Sequence, residues 1–185
     1  MNGQEDLIKQ CINGNLAAQK QLYNTYSAKL YGLCLRYSQD QTEAEDVLQE
    51  AFLKIMLNLK EYNGTGSFEG WMKRIAINTA ITNYHKNLKH RFHYDIDEMY
   101  DLPAEDVNFD SADFTRDELL SIINHMPQGY KMVFNLYAVE GFKHREIAEM
   151  LGIDINTSKT QFLRARKYII KELENLKKNG GKEYE

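Results

Sequence analysis

Apolar residues recur every three or four positions along most of this chain, which is the spacing of amphipathic helices. One such pattern runs from Leu16 to Tyr37, and a second follows a break at 40–43 and continues to about Lys60. Asp40 or Thr42 is the predicted N-cap of the second helix. Its core-facing residues are Ala44, Val47, Leu48, Ala51, Phe52, Ile55 and Leu59. With only two prolines and eleven glycines in 185 residues, the pattern predicts an all-α fold.

The opposite side of the second helix carries a second stripe, in which leucines stand among polar and acidic residues. Its members are Asp46, Gln49, Glu50, Leu53 and Leu57. A mixed acidic and apolar helix face is a reasonable docking surface for a basic partner. An ordinary helix surface with scattered leucines is the alternative, and this feature alone does not decide between them.

A loop rich in glycine, residues 62–70, precedes a helix predicted from Trp71 to Leu88. Residues 71–93 hold five Lys/Arg and no Asp/Glu, a local charge of +5. A Gly/Asn/Ser loop with aromatic and cationic neighbours suits the capture of an unstacked base from single-stranded DNA. A plain turn between core helices is the alternative. The glycine spacing does not match a dinucleotide-binding fingerprint, and no strand precedes it.

An acidic segment with little periodicity divides the chain. Residues 94–118 hold ten Asp/Glu and one Arg, a local charge of −9, and 94–113 read as a linker. Helical spacing resumes at Phe114, and Pro127 ends the first helix after it. The sequence therefore predicts two small helical domains, 5–93 and 114–178, on either side of the linker.

The most informative motif lies in the second domain. Ile147, Ala148 and Leu151 mark the buried face of a short helix, and Gly152 stands where a left-handed helix stop is needed. Asp154 or Asn156 can cap the helix that follows. Two helices joined by such a turn form a helix-turn-helix, whose second helix normally enters the DNA major groove.

The second helix of this motif has one apolar seam and one polar, basic face. The seam consists of Phe162, Ala165, Ile169, Leu173 and Leu176. The opposite face consists of Thr157, Thr160, Arg164, Lys167 and Lys171, flanked by Lys159, Gln161 and Arg166. Residues 156–178 contain seven Lys/Arg and two Asp/Glu, a local charge of +5. A solvated basic helix end is the alternative, but the turn and short helix before it favour groove entry.

Other functional classes find little support in the sequence. His85, His90 and His93 lack the i, i+4 spacing of a helical zinc site, and we find no nucleophile–base set, so neither an enzyme nor a cofactor is expected. Cys11 and Cys34 fit buried thiols in a reducing cytoplasm. No apolar run approaches the roughly 20 residues that span a bilayer, and no secretion signal is visible. We expect a cytoplasmic protein without membrane insertion.

The overall charge conflicts with a protein that binds free DNA. The net charge is −4 and the isoelectric point is near 5.8, whereas DNA-binding domains are usually basic. The acidic segment repels phosphate and competes for the basic faces. DNA binding is therefore expected as part of a larger assembly.

Taken together, the motifs resemble an extracytoplasmic-function (ECF) sigma factor of bacterial RNA polymerase, of the sigma-70 family, over nearly the whole chain. The N-terminal marks are the segment Asp46 to Phe52, Phe68, Trp71, Ile75-Ala76 and Asn78. The C-terminal marks are Pro127, Val133-Phe134, Glu140-Gly141, Glu146-Ile147-Ala148, Leu151-Gly152-Ile153 and Arg164-Ala165-Arg166. The family often has an acidic or basic pair where this chain has Thr82-Asn83-Tyr84-His85.

The resemblance implies a set of residues for each of three contacts. Contact with core polymerase at the clamp helices of its largest subunit would use Asp46, Gln49, Glu50 and Leu53, and the polymerase flap is a further expected contact. Contact with the promoter's −10 element would use Asn63, Gly64, Ser67, Phe68, Lys73, Arg74 and Asn78. Contact with the −35 element would use Thr157, Lys159, Thr160, Gln161, Arg164, Arg166 and Lys167.

The resemblance further implies that the linker lies in the enzyme's positively charged RNA channel and that an anti-sigma factor regulates a monomeric free protein. Two other hypotheses remain open at this point. A stand-alone helix-turn-helix transcriptional regulator would bind duplex DNA tightly without polymerase. An all-helical interaction protein would use its basic helices on acidic partners and ignore nucleic acid.

Overall fold

The computed structural model describes residues 3–90 and 114–180, which form two compact helical units. These two ranges contain helices and turns but no strand, so the prediction of an all-α protein with two helical domains is confirmed. The predicted linker, 94–113, lies outside the described residues. The domain boundaries proposed from the sequence stay predictions.

The N-terminal unit is built from four helices and a short 3-10 turn. They are α1 (Gly3–Ile12), α2 (Leu16–Tyr37), α3 (Gln41–Asn58), the 3-10 turn Leu59–Glu61, and α4 (Phe68–His90). Helices α2, α3 and α4 pack against one another, and α1 packs on α2. Every residue of the apolar stripe predicted for α3 is buried. Burial of this stripe is what fixes α3 with its mixed acidic and apolar side outward.

Side-chain caps set the helix starts in this unit. Asn15 Oδ1 accepts hydrogen bonds from the backbone N–H groups of Ala17 and Ala18, at 3.0 and 3.2 Å. Asp40 Oδ1 accepts one from Glu43 N at 2.8 Å, so Asp40 rather than Thr42 caps α3. Such a cap satisfies backbone donors that have no partner inside the helix.

Helix α4 begins at Phe68, three residues earlier than the predicted start at Trp71. The reason is a cap that the sequence pattern did not reveal: Ser67 Oγ accepts a hydrogen bond from Gly70 N at 3.0 Å. A β-carbon on Gly70 would lie 2.9 Å from this Oγ atom, which is too close. The Ser67 cap therefore requires a residue without a side chain at position 70. The predicted loop is correspondingly shorter.

Substitution by alanine should therefore have different results at Gly32 and at Gly70, although both glycines lie in helices. Gly32 lies inside α2 with nothing within 4 Å of its β-carbon position, so Gly32→Ala should raise the free energy of unfolding by up to about 1 kcal/mol. Gly70→Ala gains a similar propensity but displaces a cap worth about 1 kcal/mol, so its net effect should be near zero or destabilising. Urea unfolding of both variants measures the difference. Equal stabilisation by both would contradict the Ser67 cap.

The C-terminal unit contains α5 (Arg116–His125), α6 (Gln128–Phe134), a π-helical turn (Asn135–Val139), α7 (His144–Leu151) and α8 (Ile155–Gly180). Thr115 and Glu118 form a reciprocal capping box at the start of α5. Helix α5 ends at His125, before Pro127, as predicted. Helix α8 is the common support, because α5, α6 and α7 all contact it.

The π-helical turn was not predicted from the sequence. Glu140 N donates to Asn135 O at 3.0 Å, five residues back, and Phe142 N donates to Leu136 O at 3.0 Å. Gly141 follows with φ of 79°, a left-handed conformation that favours glycine. This tight reversal brings the chain into α7 and places Tyr137 against the start of that helix.

Candidate nucleic-acid interface

The predicted helix-turn-helix is present as α7, a turn and α8. Gly152 adopts φ of 62°, and its N–H donates to Ala148 O, which is the left-handed helix stop expected for that position. Asp154 Oδ1 accepts a hydrogen bond from Asn156 N at 2.7 Å, so Asp154 caps α8. The local sequence thus determines both the end of the first helix and the start of the second.

Helix α8 buries the predicted seam and presents the predicted polar face. Ala165 and Leu173 are buried, and Phe162, Ile169 and Leu176 are half-buried. Four of the predicted −35 residues are exposed, namely Thr157, Lys159, Thr160 and Arg166. Gln161, Arg164 and Lys167 are half-buried. At 100° per residue, Thr157, Thr160, Arg164 and Lys167 share one face and Gln161 lies on its flank, while Lys159 and Arg166 lie about 120° and 140° around the helix from its centre.

An aromatic and hydrogen-bonded cluster holds the first turn of α8 against α7. His144 stacks on Tyr137 with ring centroids 4.3 Å apart, and Phe162 lies 4.5 Å from Tyr137. A hydrogen bond of 3.0 Å joins His144 Nδ1 to Ser158 Oγ, which is fully buried. Ser158 lies between two predicted DNA contacts, so His144 helps to orient the groove-facing residues.

The packing of His144 makes the stability of the protein depend on pH. Burial, and secondarily the charge of Lys159, lowers the pKa of His144 below its ordinary value. The unfolded chain therefore takes up this proton first as the pH falls. We expect the free energy of unfolding to decrease from about pH 6.5 downward and to level off below the folded-state pKa. His144→Gln should remove that contribution in urea unfolding measured between about pH 7.5 and 5; an unchanged slope would contradict it.

The loop before α4 has an ordered shape. Asn63 Oδ1 accepts a hydrogen bond from Thr65 N at 3.0 Å, and Tyr62 Oη donates to Gly66 O at 2.9 Å. Gly64 and Gly66 have φ of 79° and 77°. All residues from 63 to 67 are exposed. Hydrogen bonds thus fix the shape of the loop, while residues 63–67 remain open to solvent.

Phe68 does not lie on this exposed surface, which corrects its expected place in the −10 set. It is 2% exposed and packs between Tyr26, Tyr62 and Trp71, with ring centroids 5.0 to 5.8 Å away. The large apolar ring is more stable in the core than in water. Phe68 therefore supports the loop through its packing on Tyr62, and its buried ring is not available to stack on a base.

Helix α4 brings together only some of the predicted −10 residues. Arg74 and Asn78 are exposed and one turn apart, on the same face. Lys73 points about 100° away from Arg74 around the helix, and its ammonium lies 3.1 Å from Glu69, which Lys29 also contacts at 2.8 Å. These two lysines lower the pKa of Glu69 by hydrogen bonding.

Two residues that were not in the predicted set share the face of Arg74 and Asn78. Half-exposed Trp71 and exposed Thr82 follow the same i, i+3 and i+4 spacing. This spacing is visible in the sequence, so the sequence alone could have identified Trp71 and Thr82 as members of this face. Thr82 Oγ1 donates to Asn78 O at 2.8 Å, so its hydroxyl proton is used within the helix.

Asn83 is committed to a contact inside the unit. The carboxylate of Glu43 accepts hydrogen bonds from Asn83 Nδ2 and Asn87 Nδ2, both at 2.6 Å, and from Gln39 N at 2.6 Å. This hub joins the start of α3 to the C-terminal half of α4. Asn83 belongs to the segment that departs from the family pattern, and its hydrogen bond to Glu43 joins α3 to α4.

The predicted docking stripe lies on the outer side of α3. Asp46, Gln49 and Leu53 are exposed, Leu53 at 61% and its neighbour Leu57 at 72%. Glu50 is half-buried, with Lys54 at 2.8 Å and Lys86 of α4 at 3.5 Å. Hydrogen bonding to Lys54 is the main cause of its lowered pKa. Asp46, Gln49 and the two leucines are thus the open part of the stripe, and Glu50 also bridges α3 to α4.

Within residues 3–90 and 114–180, no group of three or more His, Cys, Asp and Glu side chains could hold a metal ion. A helix long and apolar enough to cross a membrane is likewise missing from these ranges.

Comparison with known proteins identifies the family. Residues 22–89 match the family model described as sigma-70 region 2, and residues 116–169 match that of sigma-70 region 4. The RNA polymerase sigma-H factor of Pseudomonas aeruginosa is 30% identical, over 93% of this chain and 94% of that protein. The ECF RNA polymerase sigma factor SigW of Bacillus subtilis is 29% identical, over 91% and 96%. The chain belongs to the sigma-70 family, as an ECF sigma factor.

A solved structure agrees on the fold. The sigma factor RpoE of Bartonella quintana, in complex with the anti-sigma factor NepR, matches with a TM-score of 0.50 and 19% identity. The match covers 84% of this chain and 96% of that one. The family membership confirms the resemblance seen in the sequence.

Proposed function

We propose that the protein binds core RNA polymerase and directs promoter recognition, promoter melting and transcription initiation. The observation that carries this function is the occurrence of both sigma-70 regions, in order, in one chain. A stand-alone regulator needs only the helix-turn-helix of the second region. The match of residues 22–89 to the first region therefore favours the sigma function over that alternative.

The two units would divide the work. In the N-terminal unit, the open stripe of Asp46, Gln49 and Leu53 is suited to core polymerase, since it combines carboxylate with exposed leucine on a rigid helix. The loop at 63–67, with the Arg74 and Asn78 face of α4, would take the −10 element. Burial of Phe68 removes that ring from the contact but gives the loop a fixed base.

In the C-terminal unit, α8 would enter the major groove of the −35 element. Thr157, Thr160, Arg164 and Lys167 share the outward face and Gln161 flanks it, while Lys159 and Arg166, farther around the helix, would contact phosphates. A good bidentate base contact contributes about 1–3 kcal/mol of discrimination. Two or three of them select a promoter only when polymerase supplies further affinity. The local charge of −9 over residues 94–118 repels the DNA phosphates, so it also makes DNA binding depend on the affinity that polymerase supplies.

The protein would act by binding rather than by catalysis, in the cytoplasm where polymerase and DNA are. We also propose an anti-sigma factor as its inhibitor. NepR is the anti-sigma factor bound to the Bartonella RpoE, and a partner that covers α3 or α8 would block the surfaces described above.

Run-off transcription with purified core polymerase and a library of promoter sequences tests the function. We expect initiation that requires both the protein and core, from promoters sharing a −10 and a −35 sequence. Gel shifts with the protein alone should show weak, unselective binding of duplex DNA. Selective, tight binding without core, together with no stimulation of any promoter, would establish the stand-alone regulator instead.

A further inference from the structure

A buried hydroxyl ties the recognition helix to the helix before it. Ser158 is 0% exposed, and among the described residues its hydroxyl has one hydrogen-bond partner, His144 Nδ1 at 3.0 Å. Ser158 lies in the first turn of α8, directly after Thr157 and two positions before Thr160. A bond at this point therefore bears on the two threonines that begin the predicted −35 surface.

Two aromatic rings hold the imidazole where this bond requires it. Tyr137 stacks on His144 with the ring planes 14° apart, and Phe162 meets the imidazole edge-on at 5.9 Å. Phe162 belongs to α8 itself, one turn after Ser158. The imidazole thus lies between the π-helical turn and α8, so a change in its position changes the support of the first turn of α8.

The surroundings of His144 favour a neutral imidazole. His144 is the first residue of α7 and Ser158 lies at the start of α8, so the partial positive charges of two helix N-termini lie near the ring. Partial burial, and secondarily the charge of Lys159, keep the pKa of His144 below its ordinary value. A proton on this ring is therefore less stable than a proton on a histidine in water.

The carboxylates of the elements around His144 have other partners. Two accept hydrogen bonds from backbone N–H groups at helix starts, one pairs with a cation of α7, and one follows the π-helical turn and has an interaction of its own. They are, in this order, Glu146 and Asp154, Glu149, and Glu140. Among the described residues none of them pairs with the imidazole. The nearby cations, Lys143, Arg145 and Lys159, oppose a further positive charge.

We propose that the His144–Ser158 bond makes −35 recognition depend on pH: the bond holds the first turn of α8 in its groove-reading position, and protonation of His144 releases it. A histidine that is harder to protonate in its docked position than in water must favour the undocked position as the pH falls. The hydroxyl of Ser158 then loses its buried partner, and the turn that carries Thr157 and Thr160 shifts. This inference rests on the proposed function, because it assumes that α8 reads the −35 element.

The −35 selectivity of the full-length protein with core polymerase tests this coupling. Selectivity is the ratio of the affinities for a promoter fragment with the preferred −35 sequence and for the same fragment with a scrambled −35 sequence, measured in competition between about pH 7.5 and 5.5. Because both fragments meet the same enzyme, effects of pH on polymerase and on the −10 contact cancel. We expect the ratio to fall about two- to tenfold on acidification, the equivalent of one hydrogen bond.

Two changes at the pair separate this role from a structural one. His144→Phe combined with Ser158→Ala keeps an aromatic ring against Tyr137 and removes both the titrating group and the buried hydroxyl, so the ratio should no longer change with pH. His144→Gln keeps a neutral hydrogen-bonding group and should give the same flat profile, even if the double variant does not fold. His125→Gln is the matched control, because His125 is exposed on α5 and its loss should leave the pH dependence in place. Circular dichroism at each pH verifies folding.

A constant ratio in the unsubstituted protein would overturn the inference, and so would an equal fall in the His144 variants. A ratio that rises on acidification would overturn it as well, and would assign the imidazolium to a DNA phosphate. A merely structural histidine would change the free energy of unfolding with pH but not the selectivity of the folded protein. Absence of any −35 selectivity at about pH 7.5 would overturn the proposed function together with the inference. That result appears before any variant is made, so the two failures are distinguishable.

Discussion

Leu53→Arg should weaken binding to core RNA polymerase by about 100-fold while leaving the N-terminal unit folded. Leu53 is 61% exposed on the outer side of α3 and lies outside the buried core of its own unit. Burial of a leucine at an interface is worth about 1.5–3 kcal/mol, and a cation placed on an acidic stripe opposes a basic partner as well. Arginine is a good helix former, so α3 should persist.

Fluorescence anisotropy of labelled protein titrated with core measures the effect, with circular dichroism for folding. Leu16→Arg is the matched control, because Leu16 is 78% exposed on α2 and lies outside the stripe. Equal loss of binding in both variants would mean a general effect of the added charge. Unchanged binding in Leu53→Arg would remove α3 from the polymerase contact.

Arg164→Ala should reduce core-dependent transcription by roughly 5- to 150-fold, the equivalent of about 1–3 kcal/mol, and should relax the sequence requirement at the −35 element. Arg164 lies on the outward face of α8 with Thr157 and Thr160. Its guanidinium is suited to two hydrogen bonds with one guanine. The loss should therefore depend on sequence and not only on salt.

A library of −35 variants, transcribed with both forms of the protein, provides the measurement. Arg145→Ala is the control: Arg145 is an exposed cation on α7 that pairs with Glu149 at 3.5 Å. Its removal should lower activity at most slightly and equally for all −35 sequences. A uniform loss in Arg164→Ala as well would assign Arg164 to the phosphate backbone.

The two predictions use residues whose outward position the sequence pattern indicated. Leu53 and Arg164 belong to helices with long, regular apolar stripes, and such a stripe determines which residues face outward once it is buried. The helix-turn-helix was equally readable, since Gly152 and Asp154 act on their nearest neighbours. The family resemblance needed only such local marks, in the correct order.

The corrected place of Phe68 depends on a contact between distant parts of the chain. Phe68 follows an exposed loop in the sequence, yet the rings of Tyr26, Tyr62 and Trp71 enclose it. Lys73 and Arg74 are adjacent, so the turn of about 100° per residue places them on different sides of α4, and Lys73 pairs with Glu69 on its side. The amide of Asn83 is likewise used by a distant residue, since Glu43, forty residues earlier in the chain, accepts its hydrogen bond.

The sequence by itself therefore determined the helices, the order of the two units and the outward faces of α3 and α8, because periodicity and capping act over one or two turns. Only the tertiary structure decided the inward place of Phe68 and the use of the Asn83 amide by Glu43, because these contacts join residues that lie far apart in the sequence. The early start of α4, the π-helical turn and the turn at Asn63 follow from local hydrogen bonds that apolar periodicity alone did not reveal.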